Sequence, residues 1–119
     1  MDNAVKVSKA GTADLPIIKV KGELDAHGAR ALETVVRDIM SRNASRAIID
    51  LKDCTYIDSA GLGVLFSLVS WARQRQGSVA AVGPPVRVLH VLRLVRLTDE
   101  RGFQVFTDLD SAEASFAGG

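Results

Sequence analysis

The run "RAIIDLKDCTYIDSAGLGVL", residues 46–65, decides how the chain is read. It opens on an apolar segment, Ala47 to Leu51, of the kind that fills a buried strand. It then turns small and polar: Asp58, Ser59, Ala60, Gly61, Leu62 and Gly63 follow one another before the apolar residues return. A buried strand has no use for that cluster, and neither has the interior of an ordinary helix. The passage of a strand and its connecting loop into a helix does have a use for it. There a hydroxyl or carboxylate satisfies N–H groups that the first helical turn leaves unpaired. From about Ala60 to Arg75 the pattern is helical, with Leu62, Leu65, Phe66, Val69 and Ala72 as the inward stripe. Val64 and Leu68 widen that stripe, as in a helix covered on more than one side.

Upstream, "AVKVSKA" and "IIKVKG" alternate around the turn "GTADLP", which predicts a hairpin with Pro16 tolerable at the start of its second strand. "ELDAHGARALETVVRDIMSRNAS" changes period: Ala29, Leu32, Val35, Val36, Ile39 and Met40 recur at helical spacing, with Asp25 placed to cap. Gly28 costs that helix some propensity in its first turn. Downstream, Gly77 ends the second helix and "SVAAVG" is a strand. Pro84 and Pro85 open a third helix, where a missing N–H costs nothing. Its inward face is Val88, Val91, Leu92 and Val95, with Arg87, His90, Arg93 and Arg96 broadly opposite. "TDERG" turns the chain, "FQVF" is a last strand, and "DLDSAEASF" is a short terminal helix capped by Asp108 or Asp110. An opening hairpin followed by helical crossovers predicts an α/β fold. Its sheet is mixed and mostly parallel, of about five strands, with four helices packed chiefly on one face. The 119 residues suit a single domain, 1–119.

Fifteen Lys and Arg stand against fourteen Asp and Glu, interspersed along the chain, for a formal charge of +1. That balance argues against a nucleic-acid surface, which leaves a basic stripe. Cys54 is the sole cysteine, so an internal disulfide and a thiolate metal cluster are both excluded. The start, "MDNAVKVSKAG", lacks the basic segment and long apolar core of a secretory signal. No run is long enough to span a bilayer. The expectation is a cytoplasmic domain with no membrane partner.

Ser59 invites three chemical readings. As a nucleophile it needs a base within reach, and only His27 and His90 are on offer. The surrounding motif is not G-x-S-x-G, so an enzyme is not expected. Asp50, Asp53 and Asp58 are near one another in sequence, but no histidine joins them at ligand spacing. "DLDSAEASF" lacks the glycine and twelfth-position acid of a calcium loop, and "GLG" lacks the lysine of a phosphate cradle. No cofactor or metal is expected. As a cap, Ser59 competes with Asp58 beside it. As a target of modification, it sits where a phosphate gains from the helix dipole and adjacent N–H groups. Phosphate adds about −1.5 to −2 charge beside Asp58 and spoils a small apolar patch at Ala60, Leu62 and Gly63 for a partner fitted to the bare hydroxyl. The residues alone leave capping and modification open.

Three fragments in order, "VKGELDAHGARALE", "AIIDLKDCTYIDSAGLGVLFSL" and "GSVAAVGPPVRVLHVLRL", resemble the STAS domain family. Within it the chain looks like the small bacterial anti-sigma factor antagonists, also called anti-anti-sigma factors. The resemblance implies that Ser59 is phosphorylated by an anti-sigma factor serine kinase, with Asp58 as its neighbour and Gly61, Leu62 and Gly63 shaping the recognition turn. It implies that the unmodified form holds the kinase and so frees a sigma factor, and that a separate serine phosphatase resets the modified form. ATP, Mg²⁺ and the catalytic groups then belong to the partner. Ala60 stands where many relatives carry a second hydroxyl, which leaves one acceptor. A departure lies at Arg96–Phe103, "RLTDERGF", where the family often has a Gly-Leu pair after its third helix. The alternative is a STAS adaptor subunit of a transport ATPase or of a stress-sensing complex.

Gly22, Glu23 and Asp25 also lie at a strand-to-helix passage. They are expected to join the Ser59 turn in one partner surface, because such loops converge at one end of a parallel sheet. A free edge strand and an apolar third helix, with Leu89 and Leu94 near its polar side, leave room for a homodimer.

Overall fold

The computed structural model describes residues 5–117. Residues 1–4 and 118–119, which the sequence reading includes in the opening segment and in the span 1–119, lie outside the described residues. Strands β1 (Lys6–Gly11) and β2 (Pro16–Leu24) form the expected antiparallel hairpin. Then follow α1 (Ala26–Met40), β3 (Arg46–Ile57), α2 (Ser59–Gln74), β4 (Ser78–Val82), α3 (Val86–Leu94), β5 (Phe103–Phe106) and α4 (Leu109–Ala117). The strands lie in the order β1-β2-β3-β4-β5, and every pair after the first is parallel. This is the mixed, mostly parallel five-stranded sheet that the pattern predicts.

β3 overturns one expectation. The sequence reads as a short apolar strand followed by a loop from Lys52, yet the strand runs on for 12 residues to Ile57. Its register against β2 explains why the pattern hides it. Lys19 and Lys21 pair with Asp50 and Asp53, and Gly22 and Glu23 pair with Cys54 and Tyr56, so β3 carries an extra residue at two places. Each bulge breaks the alternation of buried and exposed positions that would otherwise mark a strand. β4 covers β3 only from Arg46 to Asp50, so the second half of β3 has a strand neighbour on the β2 side alone.

The sheet buries both faces unequally. Against one face pack Leu32 and Val36 of α1, Leu65 and Leu68 of α2, and Val88 and Leu92 of α3, over Ile18, Ile49, Leu51 and Val79. On the other face a smaller cluster joins Ile17, Ile48, Ala80 and Val82 to Ala112 of α4, with Leu109 and Phe116 beside it. Successive residues Ile48 and Ile49 serve opposite faces, as expected of a strand buried on both sides. Three helices thus share the principal face and α4 takes the other. In α2, Leu68 and Trp71 are buried and Phe66 only partly so. Asp108 is the cap of α4, accepting from the Ser111 N–H at 2.7 Å, a bond that holds its carboxyl below the ordinary range.

The chain after α3 also differs from expectation. The helix stops at Leu94, and Val95 is exposed rather than inward. Arg96 then takes a left-handed conformation at φ 63°, a one-turn 3₁₀ helix spans Leu97–Asp99, and Leu97 is fully buried. Arg96 and Leu97 therefore stand in the backbone geometry that a Gly-Leu pair would fill without strain. A side chain there costs about 1–2 kcal/mol. The turn is tied to α2 by Arg73, which donates to Glu100 at 2.9 Å.

Cys54 is fully buried in β3, and burial pushes its thiol pKa up even as Sγ–H reaches the Tyr56 carbonyl at 3.4 Å. The thiolate is the reactive form. Iodoacetamide labelling of the native protein should therefore follow global unfolding and accelerate only as urea is raised. Labelling at the rate of a free thiol would show that the β2–β3 joint opens on its own.

Candidate functional site

The β3–α2 joint is a single residue, Asp58, in extended conformation. Its backbone N–H donates to the Leu24 carbonyl at 3.2 Å, pinning the end of β3 to the end of β2. Its carboxylate accepts the Ala60 N–H at 2.9 Å, and its own carbonyl accepts from Leu62 N–H at 2.9 Å. Asp58 is the cap, so the choice that the residues left open is made by geometry. Ser59 is the first helical residue, its side chain is exposed, and among the described residues its hydroxyl has no hydrogen-bond partner. The fold makes no use of that oxygen.

The two glycines that follow differ. A Cβ on Gly61 would lie 2.9 Å from both Cβ and the carbonyl oxygen of Leu24, so α2 can sit this close to β2 only with glycine there. A Cβ on Gly63 would meet nothing within 4 Å. Of the two, Gly61 alone is needed for a close approach of the turn to its neighbours. Leu62 is only 8% exposed, because the first helical turn rotates it inward with Gly61. The surface of the turn consists of Ser59, half-buried Ala60 and exposed Gly63, and the expected apolar patch lacks Leu62. Ala60 and Gly63 also border an open cavity of about 430 Å³ between α1 and α2, where Ala26, Ala29, Arg30 and Ser67 line it.

Gly22, Glu23 and Asp25 come to the same end of the sheet. Gly22 pairs with Cys54 and Glu23 with Tyr56 across β2 and β3, and Leu24 receives the Asp58 N–H. Gly22 has φ 109°, a left-handed position beside the second bulge where glycine is unstrained. Asp25 caps α1 by accepting the Gly28 N–H at 2.8 Å, so its carboxylate is engaged in the fold. Glu23 is the exposed acid of the segment. Tyr56, the penultimate residue of β3, is 47% exposed, a surface aromatic with no counterpart among the sequence expectations. Its neighbours Asp53, Thr55 and Glu23 are the only sequence signal, since they make that part of the sheet polar.

His27 and His90 are both exposed, and no hydrogen bond joins either to Ser59. Among the described residues, no group of three or more His, Cys, Asp and Glu side chains is placed to hold a metal ion. No helix among them is long and apolar enough to cross a membrane.

The arrangement has relatives. The family model described as "Mlab, STAS domain" matches residues 7–107. The chain belongs to the STAS domain family. An anti-sigma-B factor antagonist of Listeria monocytogenes is 27% identical over 99 residues, covering 83% of this chain and 86% of its own. The crystal structure of an anti-sigma factor antagonist from Mycobacterium paratuberculosis superposes with a TM-score of 0.79 at 23% identity, covering 97% of this chain and 96% of that one. SpoIIAA, an anti-sigma factor antagonist, matches in its unphosphorylated form with a TM-score of 0.80 at 17% identity, over 98% of both chains. The phosphorylated form, described as a Bacillus cell fate determinant, matches at 0.71 and 16% identity, over 94% of this chain and 99% of that one. The structural likeness is one of fold.

For this STAS domain the geometry separates four neighbouring substitutions. Asp58→Ala should cost about 1 kcal/mol through the lost cap, and Ser59→Ala should stay within about 0.5 kcal/mol of the wild type. Gly61→Ala should destabilise by about 1–3 kcal/mol through overpacking against Leu24. Gly63→Ala should stabilise by about 0.5–1 kcal/mol. Urea denaturation of the four variants checks the order, and a Ser59→Ala loss equal to that of Asp58→Ala would contradict it.

Proposed function

We propose that this STAS domain is a phosphorylation-switched antagonist of an anti-sigma factor, acting in the cytoplasm. In its unmodified form it binds an anti-sigma factor serine kinase and so releases a sigma factor. Phosphorylation of Ser59 by that kinase weakens the complex, and a serine phosphatase restores the binding form. The observation that carries this reading is the idle hydroxyl of Ser59: exposed, without a hydrogen bond, at the start of a helix that Asp58 already caps. A kinase can reach it, and a phosphate can be added without removing any contact of the fold.

The electrostatics agree with a switch. A phosphate at the first residue of α2 is stabilised by the helix dipole, so the modified domain stays folded. Its charge of about −1.5 to −2 nevertheless falls beside Asp58 and near Glu23, on a surface that would have to meet a partner closely. We assign the partner surface to Ser59, Asp58, Ala60 and Gly63 with Gly22, Glu23 and Asp25 along its edge, while Gly61 and Leu62 hold the turn from beneath. The names of the relatives support the same role. The Listeria protein is called an anti-sigma-B factor antagonist, and SpoIIAA is known in both phosphorylated and unphosphorylated forms.

The test supplies ATP and Mg²⁺ with each purified anti-sigma kinase of the source genome. Mass spectrometry should find one phosphate, at Ser59, and none on Ser59→Ala. Modification at Thr55 or Ser67 with Ser59 untouched would refute the assignment. Calorimetric titration of the same kinase should then give tight binding for the unmodified protein, weaker binding for Ser59→Asp and least for the phosphorylated form. Circular dichroism serves as the folding control. Equal affinity of the phosphorylated and unmodified forms would end the switch reading and leave that of an adaptor subunit.

A further inference from the structure

The even charge balance of the whole chain hides a local asymmetry. Residues 59–98 contain no Asp or Glu, and all their formal charge is arginine. Three of those arginines, Arg87, Arg93 and Arg96, surround α3. Among the described residues Arg87 and Arg93 have no ion-pair partner, and Arg96 remains 83% exposed although it faces Asp99 at 3.6 Å. The large apolar side chains that the fold leaves exposed gather in the same place: Val86 at 85%, Leu94 at 68%, Val95 at 38%, and Tyr56 alongside. Val86, His90 and Leu94 recur every four residues, so they form one stripe opposite buried Val88 and Leu92.

The surroundings make α3 a ridge between two hollows. On one side a cavity of about 320 Å³ separates Arg87, His90 and Val91 from Thr55, Tyr56 and Ile57, the part of β3 that β4 does not cover. On the other, about 480 Å³ lies between Leu89 and Arg93 and the outer edge of β5. Tyr56 belongs to the first hollow and stands three residues before Ser59, so the ridge is continuous with the Ser59 turn.

We propose that the outward face of α3 extends the Ser59 surface and receives an acidic, apolar-centred face of the anti-sigma kinase. The inference rests on the function proposed above and adds to it a second, fixed anchor. Charge selects the occupant. Two copies of this chain meeting here would set arginines against arginines, which argues against a homodimer through α3. Anionic lipid would satisfy the arginines but not the hydrogen-bonding side chains of Thr55, Tyr56, Thr98 and Gln104 that line the two hollows. Glu23 stands at the end of β2 and Asp58 at the end of β3, whereas the arginines belong to the helix that follows β4 and the turn after it. Acid therefore stands at one end of the surface and base at the other, which favours one orientation of the partner. Arg96 fits this account: glycine would relax its left-handed backbone, and an arginine is what the chain places there.

The experiment titrates the kinase that phosphorylates Ser59 against wild type, Arg87→Glu/Arg93→Glu and Arg96→Gly by calorimetry over a salt series. The double reversal should weaken binding about tenfold or more and flatten its salt dependence. At saturating kinase, Ser59 should still be phosphorylated. Arg96→Gly should raise the melting temperature while weakening binding about twofold, a split that a purely structural residue cannot produce. Wild-type affinity and salt slope in both variants would overturn the proposal while leaving the Ser59 switch intact. If the double variant fails to fold, Arg96→Gly and the wild-type salt series decide. Co-sedimentation of wild type with phosphatidylglycerol vesicles, lost in the double variant, would assign the face to lipid and overturn it. Absence of wild-type binding to any anti-sigma kinase would remove the proposed function and this anchor together.

Discussion

The hydrogen bond from the Asp58 N–H to the Leu24 carbonyl sets the geometry of this end of the molecule. It closes β3 onto β2 at the last possible residue, so α2 must begin at once and directly above the end of β2. Gly61 is then required, because no side chain fits between α2 and Leu24. The bond also brings the β2–α1 passage, with Asp25 capping α1, against the β3–α2 passage, with Asp58 capping α2. Two aspartates do the same local work at two helix starts. What remains on the surface between them, Glu23, Ser59 and Ala60, is left over from folding and therefore free for chemistry.

That division of labour explains why the site was only half legible in the sequence. Asp25 as a cap, the helical stripe of α1 and the hairpin before it follow from local chemistry, and the structure agrees. The choice between Asp58 and Ser59 does not, since both residue types cap and their spacing differs by one. It is made by where β3 ends, and two bulges hide that end: Lys52, Asp53, Thr55 and Tyr56 look like a loop because the extra residues destroy the period of two. Gly61 and Gly63 look alike for a similar reason. One faces Leu24 and the other open space, a distinction made by tertiary contact alone.

The third helix shows the opposite case, a signal present in the sequence but averaged away. Counting charges over the chain gives near neutrality, whereas the segment from Ser59 to Thr98 is purely basic. Its helical spacing is readable, but the inward position expected of Val95 needs the helix to run on through a residue that is instead its C-terminal cap. Arg96 ends it by adopting a conformation that arginine disfavours, which no propensity scale anticipates. Exposed Val86 and Leu94 likewise become informative only once Val88 and Leu92 are seen to fill the core.

The strand order has a consequence for how the chain comes into being. Strands β1 to β5 lie side by side in the order in which they are synthesised, so no strand waits for a later one to be inserted beside it. Each new pairing closes only the loop of one intervening helix or turn, and the entropic charge for each step stays small. A growing chain can add strand after strand to an existing edge, beginning with the hairpin, and each helix covers the face just made. Parallel sheets whose central strand arrives last expose unpaired edges for longer and fold more slowly. Here the exposed edge simply advances along the sheet until β5 completes it.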